Sequence, residues 1–286
     1  MSELGRTSGS PVKAAFEDGP ALIPYVTAGD PDLDATCEYI AALERGGADA
    51  IELGIPFSEP VAEGPTIQRA IFRSLDRGTT PGEVLDLVAN LDPDVPLIGM
   101  TYYNLIYRFG EEPGPEPFVE SAAASGLSGL IVPDLPVEES GPLMRACEKC
   151  GIDLVLIVAP TTTGARLDRV MSETAGFAYV QARLGTTGAR STLSEATFES
   201  LSRLSGYDVP KAVGFGVSER EHAATIVVEG ADGVIVGSAL IDVIADGIEN
   251  DRPTADVADQ LENYALQLRA GVEDGRTERN GQPEQK

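Results

Sequence analysis

Glu52 stands alone in an apolar run, flanked by Ala50, Ile51, Leu53 and Ile55. A strand carrying it inward would hold the carboxyl in a low-dielectric setting, which raises its pKa and suits it to proton transfer. The other reading is a structural glutamate paired with a polar neighbour, and spacing alone does not choose between them. A second acid, Glu63, follows in a loop punctuated by glycine and proline, Gly54-Ile-Pro56-Phe57-Ser58-Glu59-Pro60-Val-Ala-Glu63-Gly64-Pro65-Thr66. Such a loop could fold back over Glu52; taken by itself, Glu63 reads as a solvated loop acid. Three glycine-containing turns occur later: Gly185-Thr-Thr187-Gly188, Gly214-Phe215-Gly216 and Gly237-Ser238. Glycine lets backbone N–H groups approach an anion closely, and a helix N-terminus adds the favourable end of its dipole. These turns fit a phosphate group; the plainer alternative is simple strand-to-helix turns.

Other chemistries lack their residues. A Schiff-base aldolase needs a lysine at the C-terminal end of a strand, yet Lys211 begins an apolar run and Lys13, Lys149 and Lys286 lie on none. Metal-assisted cleavage needs a His/carboxylate cluster, and the single histidine, His222, lies in a helical stretch; no metal is expected. Cys147-Glu-Lys-Cys150 has redox spacing, but it reads as two thiols on a helix face just before a strand. Carboxylate acid–base chemistry on a phosphorylated substrate is what remains.

These residues need a frame. Short apolar runs alternate with amphipathic stretches: Leu22–Thr27, Ala50–Leu53, Leu97–Tyr102, Gly129–Pro133, Leu154–Ala159, Phe177–Ala182, Ala212–Gly216 and Gly233–Val236. Between them, Leu33, Cys37, Ile40 and Ala41 share one helical face, as do Val257, Leu261, Tyr264, Ala265 and Leu268. An extra helical piece spans Ile67 to Leu75. Near-continuous apolar strands in βα units predict a single (β/α)8 TIM barrel with extra short helices. A doubly wound open sheet fits less well, since no strand leads into GxGxxG. The barrel domain is expected over residues 1–272, followed by a disordered polar tail over 273–286. In this fold the strands' C-terminal ends carry function, and loops seven and eight take phosphate.

The chain has 286 residues, enough for one such barrel, and 42% are hydrophobic, enough to fill it. Its longest apolar runs fall far short of the ~18–20 residues that span a bilayer. The polar N-terminus has no secretory h-region and cysteines are few, so a cytoplasmic location is expected. Acidic residues number 46 against 21 basic, a net charge of −25. A nucleic-acid surface needs a basic patch and is excluded. Acid-rich, lysine-poor composition resembles that of cytoplasmic proteins from salt-loving microbes, where salt screens self-repulsion; an ordinary acidic enzyme is the alternative.

The segment Ile51-Glu52-Leu-Gly-Ile-Pro-Phe-Ser-Glu-Pro-Val-Ala-Glu63-Gly-Pro-Thr-Ile-Gln68 resembles the signature of the tryptophan synthase alpha chain family. Further matching segments are Pro24-Tyr-Val-Thr-Ala-Gly-Asp-Pro31, Met100-Thr-Tyr-Tyr-Asn104, Val132-Pro-Asp-Leu-Pro-Val137, Gly185-Thr-Thr-Gly-Ala189, Gly214-Phe-Gly216 and Gly237-Ser238. The resemblance implies retro-aldol cleavage of indole-3-glycerol phosphate to indole and glyceraldehyde 3-phosphate, with no cofactor. It implies Glu52 as the general acid–base. It places Glu63 where the family has an aspartate that holds the indole N–H, and Glu59 also stands in place of an aspartate. Glutamate is longer by roughly 1.5 Å, and misplacement by about 1 Å can cost on the order of a hundredfold. Either loop two shifts to accommodate it or activity falls, the latter leaving room for a non-catalytic alpha-like subunit. Tyr25, Met100, Tyr102, Ile131, Pro133, Tyr179, Thr187 and Phe215 match substrate-pocket positions, some of which could equally be plain barrel core. Gly188, Gly216, Gly237 and Ser238 match phosphate-binding positions. The resemblance also implies a beta-chain partner in an alpha2-beta2 complex, met by Pro56–Pro65 and Leu184–Thr192. Another phosphate-binding barrel, such as a sugar-phosphate isomerase, would share loops seven and eight but would not require Glu52 with its loop.

Overall fold

The computed structural model describes residues 9–181, 195–214 and 216–281. Eight parallel strands close in sequence order into a barrel. They are β1 (Ala21–Thr27), β2 (Ile51–Gly54), β3 (Leu97–Met100), β4 (Gly129–Ile131), β5 (Asp153–Val158), β6 (Ala178–Gln181), β7 (Lys211–Gly214) and β8 (Gly233–Val236). The seam is β8 on β1, with Ile23 paired to Ile235. Around them lie α1 (Pro11–Ala14), α2 (Leu33–Arg45), α3 (Pro65–Asp76), α4 (Pro81–Asn90), α5 (Tyr103–Arg108) and α6 (Glu116–Ser125). The second half adds α7 (Gly141–Cys150), α8 (Gly164–Glu173), α9 (Glu195–Leu204), α10 (Arg220–Val228), α11 (Ser238–Glu249) and α12 (Thr254–Gly281).

Strand residues alternate between two cores, the period-2 consequence of the pleat. Ala21, Ile23, Ala50, Ile98, Ile131, Val155, Phe177, Ala212 and Ile235 fill the barrel interior, closed from below by Val12 of α1. Their neighbours Leu22, Ile51, Leu53, Leu97, Leu130, Leu154, Val213 and Val234 pack outward against the helices. The alternation that turns Ala50 inward also turns Glu52 inward.

Several strands stop short of their expected ends. Val132 and Pro133 have left β4, because proline has no N–H for a ladder and Leu135 N–H closes a turn onto the Val132 carbonyl (3.2 Å). Tyr102 has left β3 to begin α5. The buried face of α2 is also rotated from the expected one: Ala35, Thr36, Tyr39, Ile40, Ala42 and Leu43 are buried, with Leu33 and Cys37 at its margin. Tyr39, outside the expected set, is a full member of that face. The extra helix is present as α3, opened by Pro65 in the first turn, where its missing N–H is not needed. Cys147 and Cys150 are free thiols on α7, and burial pushes Cys147 up to about 12.

The expected disordered tail is a correction as far as Gly281: residues 273–281 continue α12, and 282–286 lie outside the described residues. Its glycines are packing devices. A Cβ at Gly271 would overlap the Arg220 carbonyl, and one at Gly275 would overlap that of Ala224, so both let α12 lie tight on α10. Arg279 then donates to the Ala231 carbonyl (3.0 Å), and Arg269 pairs with Asp49 (2.5 Å).

Candidate active site

Glu52 is 1% exposed at the mouth of the barrel, and among the described residues its Oε2 has no hydrogen-bond partner. A structural glutamate paired with a polar neighbour would not leave that oxygen bare. Burial, with a smaller contribution from Glu63, pushes the carboxyl up to about 8, so near neutral pH it mostly carries its proton. Two tyrosines flank it, each lying over a glycine of the next strand. A Cβ at Gly54 would overlap the Tyr25 hydroxyl, and a Cβ at Gly214 would overlap that of Tyr179. Small residues there let both rings lie back. The Tyr25 hydroxyl is 3.1 Å from Thr27 Oγ1. Burial raises both phenols, which stay neutral in the physiological range.

Glu63 is not a solvated loop acid. It is 9% exposed, and its Oε2 accepts a hydrogen bond from the Tyr102 hydroxyl. That hydroxyl in turn accepts from the Ala62 N–H (2.8 Å), and the Tyr102 ring stacks on Phe57, centroids 5.0 Å apart. Gln68 supports the turn from α3, donating to the carbonyls of Pro60 (3.1 Å) and Glu63 (3.0 Å). Burial raises the Glu63 carboxyl, and the Tyr102 bond opposes that shift. The loop folds back as its glycine and proline spacing predicts, bringing both carboxylates to one cavity.

That cavity, about 50 Å³, is lined by Tyr25, Glu52, Glu63, Ile67, Met100, Tyr179, Gly216, Ile235, Gly237 and Ser238. It runs from the two acids to the first turn of α11, where a helix N-terminus offers unpaired N–H groups. Beside it a wider pocket of about 420 Å³ shares Met100 and Tyr179 and continues past Pro133, Ile157 and Gln181 to Thr161, Thr162 and Arg166. Of the expected pocket residues, Tyr25, Met100 and Tyr179 line the cavity, and Pro133 lines its neighbour. Tyr102 bonds Glu63 instead. Ile131 is buried in the barrel interior and lines neither space. Gly216, Gly237 and Ser238 line the cavity together, Ser238 opening α11. Thr187, Gly188 and Phe215 lie outside the described residues.

Sequence reasoning missed Ile235 and Ile67. The first was legible, since strand alternation from Gly233 turns it inward; the second comes from the way α3 folds back, which is a tertiary fact. Lys211 lies at the start of β7, on the opposite rim, bonded to the Tyr207 carbonyl (2.7 Å). His222, on α10, stands beside Ser218.

The profile of a family described as the tryptophan synthase alpha chain matches residues 12–272. A tryptophan synthase alpha chain from Haloferax volcanii is 60% identical over 270 residues, covering 94% of this chain and 98% of the relative. One from Methanosarcina barkeri is 50% identical over 252 residues, covering 88% and 91%. Among solved structures, the alpha subunit from Legionella pneumophila superposes with a TM-score of 0.81 at 31% identity, covering 93% of this chain and 99% of that one. A chain of the a2b2 complex from Pyrococcus furiosus does so with a TM-score of 0.80 at 39% identity, covering 87% and 98%. Sequence and fold thus agree over nearly the whole barrel, and the chain belongs to the tryptophan synthase alpha chain family.

Proposed function

We propose that this chain, a carbon–carbon lyase of tryptophan biosynthesis, cleaves indole-3-glycerol phosphate with Glu52 as general acid–base and Glu63 as the carboxylate facing the indole N–H. The observation that carries the reading is the buried, unpartnered Oε2 of Glu52 beside a cavity that also holds Glu63 and ends on α11. Held protonated, Glu52 delivers its proton to indole C3, which leaves positive charge on the ring nitrogen beside Glu63. The resulting Glu52 carboxylate takes the proton of the side-chain hydroxyl next to the ring. The C–C bond then breaks, its electron pair restores the neutral indole, and the hydroxyl carbon leaves as an aldehyde. Glu52 ends protonated, so the cycle balances on protons alone and calls for no redox or carrier cofactor. The longer Glu63 arm is accommodated by its Tyr102 partner, which favours a catalytic chain over a purely activating one. The test is single-turnover release of indole by the isolated chain; absence of any indole would sink the catalytic reading.

The phosphate sits at Gly216, Gly237 and Ser238. Gly237 is the cleaner probe: its φ of −116° does not require glycine, and its open side faces Ile67 and Tyr25 at 3.4 and 3.6 Å. Gly237→Val is expected to raise KM for the phosphorylated substrate by about tenfold or more while changing kcat less. An equal effect on a dephosphorylated analogue would show that this glycine is only a turn.

The Pyrococcus relative is titled as an a2b2 complex, and we infer that this chain likewise docks a beta chain in an alpha2-beta2 assembly. Loop two offers Val61, 80% exposed, within a few residues of Glu63; the other expected contact, Leu184–Thr192, lies outside the described residues. Docking there orders the loop and excludes water from the site. Titrating the cognate beta chain in high salt should raise kcat for cleavage, and an unchanged rate with no binding would remove the partner claim. Among the described residues no helix is long and apolar enough to cross a membrane.

A further inference from the structure

The minimal barrel plan does not require α3, and both its ends are tied down. At its first turn Gln68 holds the carbonyls of Pro60 and Glu63, and Ile67 reaches the cavity. Toward its C-terminal end three contacts bind it to the loop after β1. Arg73 grips Asp30 through two parallel bonds, Nε to Oδ1 and Nη2 to Oδ2, both 2.7 Å. Asp30 is fully buried, while Arg73 keeps 28% of its side chain exposed. Ser74 donates from Oγ to the Ala28 carbonyl (2.6 Å). Gly29, at φ +79°, has no room for a Cβ against Thr79 and Ser74, so the loop and the helix end are in close contact. A bidentate guanidinium–carboxylate pair fixes rotation as well as distance, which a lysine does not.

We infer that Arg73 is a positioning residue for the reaction: by locking α3 to the β1 loop it sets, through Gln68, where Glu63 stands relative to Glu52. Arg73 does not line the cavity. Its effect travels along a rigid helix whose first turn follows Glu63 directly. A small tilt of α3 moves that turn by about 1 Å, a displacement that costs on the order of a hundredfold when it misplaces a reacting group. The inference rests on the reading of Glu63 as the second carboxylate, and the experiment separates the two.

The test is a kinetic cycle of Arg73→Met, Glu63→Gln and the double variant, with Arg73→Lys and Asp30→Asn/Arg73→Met alongside. Tm is recorded for each, and assays are run well below the lowest. Arg73→Met is expected to lower kcat about tenfold or more with KM changed less than about threefold. In the Glu63→Gln background the same change should cost less than about twofold, because the residue it positions is already disabled. Arg73→Lys should not restore kcat. Asp30→Asn/Arg73→Met leaves no uncompensated buried carboxylate, so it folds if Arg73→Met alone does not, and its kcat should stay low. A parental kcat in that double variant would overturn the inference, as would an equal loss in both backgrounds. A parental kcat in Glu63→Gln itself would overturn the reading of Glu63 and this inference with it.

Discussion

Glu52→Gln is expected to lower kcat by about 10²–10⁴-fold with KM nearly unchanged, and at the same time to make the protein more stable at alkaline pH. The amide keeps the shape of the side chain but has no proton to give to indole C3. The stability effect follows from burial. The folded carboxyl is raised from 4.5 to about 8, so the folded protein holds a proton that the unfolded chain releases. Stability from this source is whole below pH 4.5, falls as pH rises, and is lost above about 8. Glutamine does not ionise. The stability advantage of the variant should therefore grow across that window, reaching the order of a few kcal/mol and appearing as a rising Tm difference, and level off above it. Rate assays and melting curves from pH 4 to 9 check both parts. Retention of most of kcat would remove Glu52 from the chemistry; a Tm difference that does not change with pH would show that its carboxyl is not held protonated by the fold.

The second large effect is on stability in low salt. With 46 acidic against 21 basic residues, few carboxylates have a cationic partner, and most ion pairs here are at the surface. Examples are Lys149–Glu120, Arg166–Glu138 and Arg220–Asp274, all with substantially exposed partners. Pairs of that kind contribute about 0–1 kcal/mol, too little to offset long-range repulsion once screening is withdrawn. The Debye length is about 3 Å at 1 M salt and about 30 Å at 0.01 M, so dilution lets carboxylates across the whole surface repel one another. A fall of about 10 °C or more in Tm is expected between multimolar KCl and 0.01 M, from a loss of several kcal/mol. A Tm independent of KCl would show that the acidic surface is not an adaptation to salt. The 60% identity to a Haloferax volcanii relative accords with the salt-adapted reading.

The fold was legible in the sequence because a barrel interior is written locally. Each strand is an apolar run, and Glu52 interrupts one of them at an inward position. The turn at Gly237 was legible for the same reason: it leads directly into α11. What could not be read was anything set by contact between distant segments. Glu63 looked like a surface acid because its partner, Tyr102, comes from the end of another strand. Tyr39 was not among the residues expected on α2, yet it is buried in the face of that helix. Gly275, in the stretch expected to be disordered, shows that a glycine in a polar stretch has two opposite meanings, freedom or close approach. Only the Ala224 carbonyl on the facing helix decides between them.

The seam of the barrel bears on how the chain folds during synthesis. Strand β1 is made first and its outer neighbour β8 near the end, and α12 fills the space between α10 and α2 after every strand is complete. Until then a nascent chain carries β1 with one hydrogen-bonding edge open, and the apolar flank of α2 lacks its cover. Closure across so long a sequence separation is slow, and an open edge can pair wrongly in the meantime. α12 is thus a cover that can be laid only once the strands of the ring exist, and chains truncated before it should expose the apolar flank of α2 and self-associate.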